Sequence, residues 1–132
     1  MVTQVIKTIG NTGCDYTTPQ AFLDATPSNL VTADQQWIGR VRIGEIVLTV
    51  GQVCAARTTD PTRNIILEAY PGEGIADHAN KLTNALFYDA TKGAAIRGNQ
   101  LAALINMSAA AYSVVRGLQL SNTDASSSSV IT

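Results

Sequence analysis

An all-β chain wound into stacked coils is the fold class this sequence predicts, on three observations. The apolar runs are short and rich in β-favouring residues, glycine, proline, asparagine, aspartate and serine punctuate them, and one segment repeats at a fixed offset. The runs are Gln4–Ile9, Gln36–Val41, Glu45–Val50, Ile65–Tyr70, Ala85–Tyr88, Ala94–Ile96, Ala103–Met107 and Tyr112–Leu120. Glu45–Val50 alternates, which places Ile46, Leu48 and Val50 on one predicted face. In the repeat, Ala94-Ala95-Ile96-Arg97-Gly98-Asn99-Gln100-Leu101 aligns without gaps on Ser113-Val114-Val115-Arg116-Gly117-Leu118-Gln119-Leu120, nineteen residues on. Such a repeat, with a glycine where the chain must bend, is the mark of a solenoid whose coils stack at about 4.8 Å. Stacked in this way, Arg97 and Arg116 are expected to form a solvated ladder of like charge.

One segment breaks the strand pattern. Thr18 can cap a helix with Pro19 at its first position, and Ala21, Phe22, Leu23 and Ala25 follow before Pro27 stops it. The prediction is a helix of about two turns whose apolar face covers a sheet end. Pro71-Gly72-Glu73-Gly74 reads as a turn, because a phosphate loop needs further glycines and a lysine.

Composition narrows the function classes. The chain has 132 residues, 45% hydrophobic and 14% charged, with 5% aromatics and a net charge of −1. That fits one domain with narrow aliphatic layers. No lysine or arginine run offers a surface for nucleic acid. No apolar run approaches the roughly 18 residues of a membrane span, so no membrane partner is expected. Residues 1–10 carry one lysine and no long apolar stretch, and no secretory signal is expected. Cys14 and Cys54 are too few for a disulfide framework; buried free thiols are expected, with pairing left open. Asn106-Met107-Ser108 is read as an ordinary strand end.

Two stretches carry a resemblance. Tyr112-Ser113-Val114-Val115-Arg116-Gly117-Leu118-Gln119-Leu120-Ser121-Asn122 resembles a rung of the right-handed parallel β-helix proteins of the pectate-lyase-like superfamily. Gly13-Cys14-Asp15-Tyr16-Thr17-Thr18-Pro19-Gln20-Ala21-Phe22-Leu23-Asp24-Ala25 resembles the opening of many of them, where a first strand leads through an Asp-Tyr-Thr turn into a short capping helix. More narrowly, Asn29–Asp34 with Trp37-Ile38-Gly39, and Thr83-Asn84-Ala85-Leu86, resemble β-helical proteins of tailed bacteriophages and prophages. The resemblance implies an all-β, right-handed parallel β-helix with a short N-terminal capping helix. It would form a single domain over 1–132, with strand and capping helix in 1–30 and irregular, then regular, coils in 31–132. The Ser126–Ser129 stretch followed by Val130-Ile131-Thr132 reads as another strand starting, with no second capping helix after Leu120. The expectation is that this is the N-terminal part of a longer chain, or that a partner covers that end.

Related folds host polysaccharide lyases, hydrolases and esterases, which cluster carboxylates and basic residues. Here the ten carboxylates are dispersed: Asp15, Asp24, Asp34, Glu45, Asp60, Glu68, Glu73, Asp77, Asp89 and Asp124. None forms an Asp-Asp or Asp-x-Asp group, and His78, the only histidine, lacks the companions of a metal or acid–base site. The expectation is therefore no enzyme, no catalytic residue, no cofactor and no metal. The resemblance implies a structural protein of a tailed-phage virion, assembled in the host cytoplasm. It would decorate the capsid, or form the anchored base of a head fibre or tail spike. Its expected partners are a phage capsid or tail protein and further copies of itself in a trimer. Interface residues are expected at Val5 and Ile6 in the first strand, at Trp37, and at Val130 and Ile131 on the open edge. The alternative is the N-terminal part of a depolymerase that reaches a host surface glycan through downstream residues; a surface adhesin module is a third reading.

Overall fold

The computed structural model describes residues 1–75, 88–99, 101–123 and 129–131. Expectations on Asp77, His78, Thr83–Phe87, Gln100 and Asp124 fall outside them, and so does the side chain of Val130. Strand β1 (Thr3–Ile9) leads to helices α1 (Pro19–Ala25) and α2 (Leu30–Ala33), then β2 (Gln35–Val41), β3 (Gly44–Leu48), β4 (Gln52–Val53) and β5 (Ile65–Ala69). After these come β6 (Ala94–Asn99), β7 (Ala103–Asn106), β8 (Val114–Arg116), β9 (Gln119–Thr123) and β10 (Ser129–Ile131).

The strands pair in parallel into three separate sheets: β1-β2-β5-β8, β3-β6-β9 and β4-β7-β10. From β2 onward the described strands fall on the first, second and third sheet in turn. The expected class is corrected. The fold is mixed, two helices with three short parallel sheets and no closed barrel, and the all-β right-handed parallel β-helix is not what it forms.

Register explains why the nineteen-residue repeat misled. Ile96 lies opposite Leu120 and Ile46 in the second sheet, whereas Val115 lies opposite Leu67 in the first. Residues that align in the repeat therefore never face each other: where the two segments meet, Ala95 and Ile96 pair with Gln119 and Leu120, 24 residues on. Spacing between paired strands is also uneven: Arg40 and Glu68 are 28 residues apart, Glu68 and Arg116 are 48. The two glycines of the repeat do different work. A Cβ on Gly98 would come within 2.6 Å of Leu101 and 2.7 Å of Leu104, so a close approach requires it. Gly117, at φ 70°, lets the chain turn between β8 and β9.

Helix α1 forms as its caps dictate. The Thr18 hydroxyl accepts from the Ala21 N–H at 3.2 Å, and Pro19 occupies the first turn. Its C-terminal carbonyls are met from afar: Arg57 donates to Leu23 O at 3.1 Å and to the Thr26 hydroxyl at 3.1 Å. Phe22 and Leu23 on its inner face are fully buried, with Ile9, Leu30, Val41, Ile65 and Leu67 in one continuous core. Gly39 is small because a Cβ there would meet the Phe22 ring at 2.8 Å. The face predicted for Glu45–Val50 is only partly realised. Ile46 and Leu48 are buried, but the strand stops before Val50, which is exposed.

Helix α1 also seals one end of the third sheet, through the side-chain amide of Gln20. Val53 N–H donates to Gln20 Oε1 at 2.7 Å, and Gln20 Nε2 donates to Val53 O at 3.0 Å. The amide thus supplies both bonds that a neighbouring strand would make. At the same end, Asn11 donates to Glu45 O at 2.9 Å on β3.

Both cysteines are free thiols. Cys54 is buried, and burial pushes its thiol above the usual range, while Cys14 is partly accessible. In the native protein a thiol reagent is expected to modify Cys14 at least tenfold faster than Cys54, since a buried thiol rarely reaches its reactive thiolate form. Mass spectrometry of partly labelled protein checks this, and equal labelling would contradict it.

Candidate functional site

Many charged side chains among the described residues are committed to one another. Arg97 grips Glu45 with two bonds, at 3.0 and 3.1 Å, and the Tyr88 hydroxyl donates to the same carboxylate at 2.8 Å. Arg42 forks onto Glu73 at 2.8 and 2.9 Å while stacking over the Tyr70 ring, 4.3 Å from its centre. The Ile43 N–H donates to Glu73 as well, at 2.7 Å. Glu73 sits in the expected turn, where Gly72 has φ 82° and the Glu73 N–H donates to Tyr70 O. Arg63 bridges Asp34 at 2.7 Å and Asp60 at 2.8 Å. Asp15 accepts from the Thr8 N–H and hydroxyl, with Lys7 at 3.5 Å.

These bonds shift the acids in one direction. Arg97 and then Tyr88 hold Glu45 below its ordinary value, Arg42 holds Glu73 down, and the Thr8 backbone holds Asp15 down. Asp60 falls furthest, through the N–H groups of Arg63 and Thr62. For Glu68, burial favours the neutral acid, but Arg116 and Arg40 outweigh it and the carboxylate stays charged.

A folded-state value below the unfolded one means that acid protonates the unfolded chain first. The stabilisation is therefore complete above the usual carboxylate values of 4.5 and 3.8 and drains away as the pH falls through the lower folded values. The melting temperature is expected to hold from neutrality to about pH 5 and to fall steadily below about pH 4.5. Thermal melts monitored by circular dichroism test this; a flat profile down to pH 3 would contradict it.

The most ordered surface is the outer face of the first sheet, where register sets three rows of side chains across β1, β2, β5 and β8. Gln4, Gln36 and Asn64 form an amide row, bonded at 2.8 and 3.0 Å. Beside it run Ile6, Ile38, Ile66 and Val114, then Thr8, Arg40, Glu68 and Arg116. In the charged row Glu68 accepts from Arg40 at 3.0 Å and from Arg116 at 2.6 and 2.9 Å. Arg40 and Glu68 are largely covered, while the Arg116 side chain is 61% exposed.

The two ends of the sheets differ. Opposite the sealed end, the outer edges of β8, β9 and β10 pair with no further strand among the described residues. Val115, Leu118 and Leu120 touch the core there but are only partly buried. A hollow of about 330 Å³ opens between Met107, Ala110, Tyr112, Val115 and Ile131. Tyr112, held at φ 58°, and Ile131 are exposed at its rim.

The expected interface residues do not form one surface. Val5 is in register with Trp37, and both belong to the inward row of the first sheet. Trp37 is half-buried, packs 6.0 Å from the Phe22 ring and donates its indole N–H to Gln35. Ile6 faces outward and is exposed, at the β1 end of the aliphatic row. Ile131 lies on β10, opposite Ile105 in the third sheet. Arg97 and Arg116, expected to stack, instead bind Glu45 and Glu68 in different sheets. The residues of the charged row escape sequence reasoning because their proximity depends on strand register; a single acid between basic residues dozens of positions away carries no local signal.

Among the described residues, no three His, Cys, Asp or Glu side chains gather to hold a metal ion. No described helix is long and apolar enough to cross a membrane. No protein-family model, curated protein or solved structure matches this chain.

Proposed function

We propose that this chain is a non-enzymatic structural protein that is held by another polypeptide at its open end. In the setting its sequence suggests, it is a component of a tailed-phage virion, decorating the capsid or forming the base of a head fibre or tail spike. The observation that carries the reading is the asymmetry of the ends. One carries α1, whose Gln20 amide closes the third sheet, while the other leaves, among the described residues, three strand edges above a half-covered apolar layer. Unpaired edges beside apolar surface are what proteins cover unless they are used for association. Commitment of Glu45, Glu68 and Glu73 to arginines also favours a rigid part over a reactive one.

The test is quantitative mass spectrometry of purified particles from a phage that encodes the chain. The protein is expected in a fixed ratio to the capsid or tail proteins, and Leu120→Asp, placed in the open layer, is expected to be lost from the particle. Absence of the unmodified protein from particles would overturn the proposal.

A further inference from the structure

The rows on the first sheet specify what the open edge takes. Arg40, Glu68 and Arg116 alternate in sign across three paired strands, and the row stops on a cation that is mostly exposed. Beside it, the aliphatic row stops on Val114, also exposed, and the inward row on the half-buried Val115. A further strand in parallel register would set one residue opposite each. Opposite Arg116 an acid continues the alternation, whereas a base would repel it. Opposite Val114 and Val115, apolar side chains extend the two apolar rows.

We propose that the edge of β8 is a docking site for an extended segment of a different protein, with two consecutive apolar residues followed by Asp or Glu. This rests on the structural reading above and names the partner's chemistry. The occupant adds a strand, so main-chain bonds supply affinity and the acid supplies specificity. The chain contains its own pattern for it: Ile66, Leu67 and Glu68 lie opposite Val114, Val115 and Arg116 from the other side. A second copy fits less well. Open end against open end sets cationic β8 edges together. The outer edge of β1, at the far end of the same sheet, would set Ile6, Lys7 and Thr8 opposite Val114, Val115 and Arg116, a base against an apolar residue and no acid for the arginine.

The probe is a fluorescent peptide copying residues 64–70, Asn-Ile-Ile-Leu-Glu-Ala-Tyr, with two serines at each end, titrated with the full chain and read by anisotropy. Binding is expected, at least tenfold weaker when the peptide glutamate is lysine. Arg116→Glu is expected to reverse that preference. Since Arg116→Glu also disturbs Glu68, Val114→Asp gives a second check and is expected to weaken the unmodified peptide at least tenfold while its melting curve stays near that of the native chain. Equal binding of the glutamate and lysine peptides, or no binding of either, would overturn the proposal. So would self-association in sedimentation that the peptide does not displace. A chain that enters particles yet ignores the peptide overturns this inference alone; one that binds the peptide yet is missing from particles overturns only the virion reading.

Discussion

Phe22→Ala is expected to destabilise the protein by about 3–5 kcal/mol, the largest effect of any single change considered. The ring is the largest fully buried side chain among the described residues. It meets Tyr16 edge-on at 6.1 Å and Trp37 at 6.0 Å, and it fills the space that Gly39 leaves by lacking a side chain. Truncation leaves a cavity walled by a sheet on one side and α1 on the other. Neither wall can close it, because α1 is pinned by Thr18 at one end and Arg57 at the other. Urea titration followed by tryptophan fluorescence measures the loss directly, since Trp37, the only tryptophan, lies against the ring. A change below about 1 kcal/mol would show that α1 contributes little to the core, against the expected range.

Glu68→Ala is the second large effect, at about 2 kcal/mol or roughly 5–8 °C in melting temperature. It removes the carboxylate shared by Arg40 and Arg116, leaving two guanidinium groups facing each other across β5. A fully buried pair broken this way costs about 3–5 kcal/mol, but Arg116 can turn toward water and recover part of it. Glu68→Gln keeps the shape and two acceptor lone pairs on its oxygen, so its loss is expected to be roughly half as large. Differential scanning calorimetry of the two variants and the native chain checks both order and size. If Glu68→Ala melts with the native protein, the charged row is a surface ornament and contributes nothing to rigidity.

Local chemistry was legible in the sequence, and long-range pairing was not. Thr18-Pro19 and Pro27 bracket α1 because capping and proline geometry act over a few residues. Most strands were legible as apolar runs for the same reason. Tyr112–Leu120 contained two strands, since Gly117 turns the chain at positive φ between β8 and β9. Helix α2 is one turn long, built on Asn29 accepting from the Thr32 N–H, and has no apolar period to betray it. The repeat drew attention to Arg-Gly pairs whose glycines have unrelated reasons to exist and whose arginines serve different acids. A match of letters carries no register, and the fold class depended on register. Ile131 falls in a strand, as its apolar neighbourhood suggests, but the place of Arg116 needed Glu68, 48 residues earlier, to be set beside it.

The amide of Gln20 has a consequence for how far any assembly can grow. By answering both main-chain groups of Val53, it uses up the template that an incoming chain would copy on that side. Strand addition through the third sheet is therefore directional and self-terminating: it accepts a neighbour beside β10 and offers none beside β4. Open filaments require each newcomer to expose a fresh acceptor, and a molecule with a blunt pole breaks that succession after a single step. Growth through the third sheet should thus stop at a finite copy number, while the first sheet, bounded by β1 and β8, is not governed by this amide.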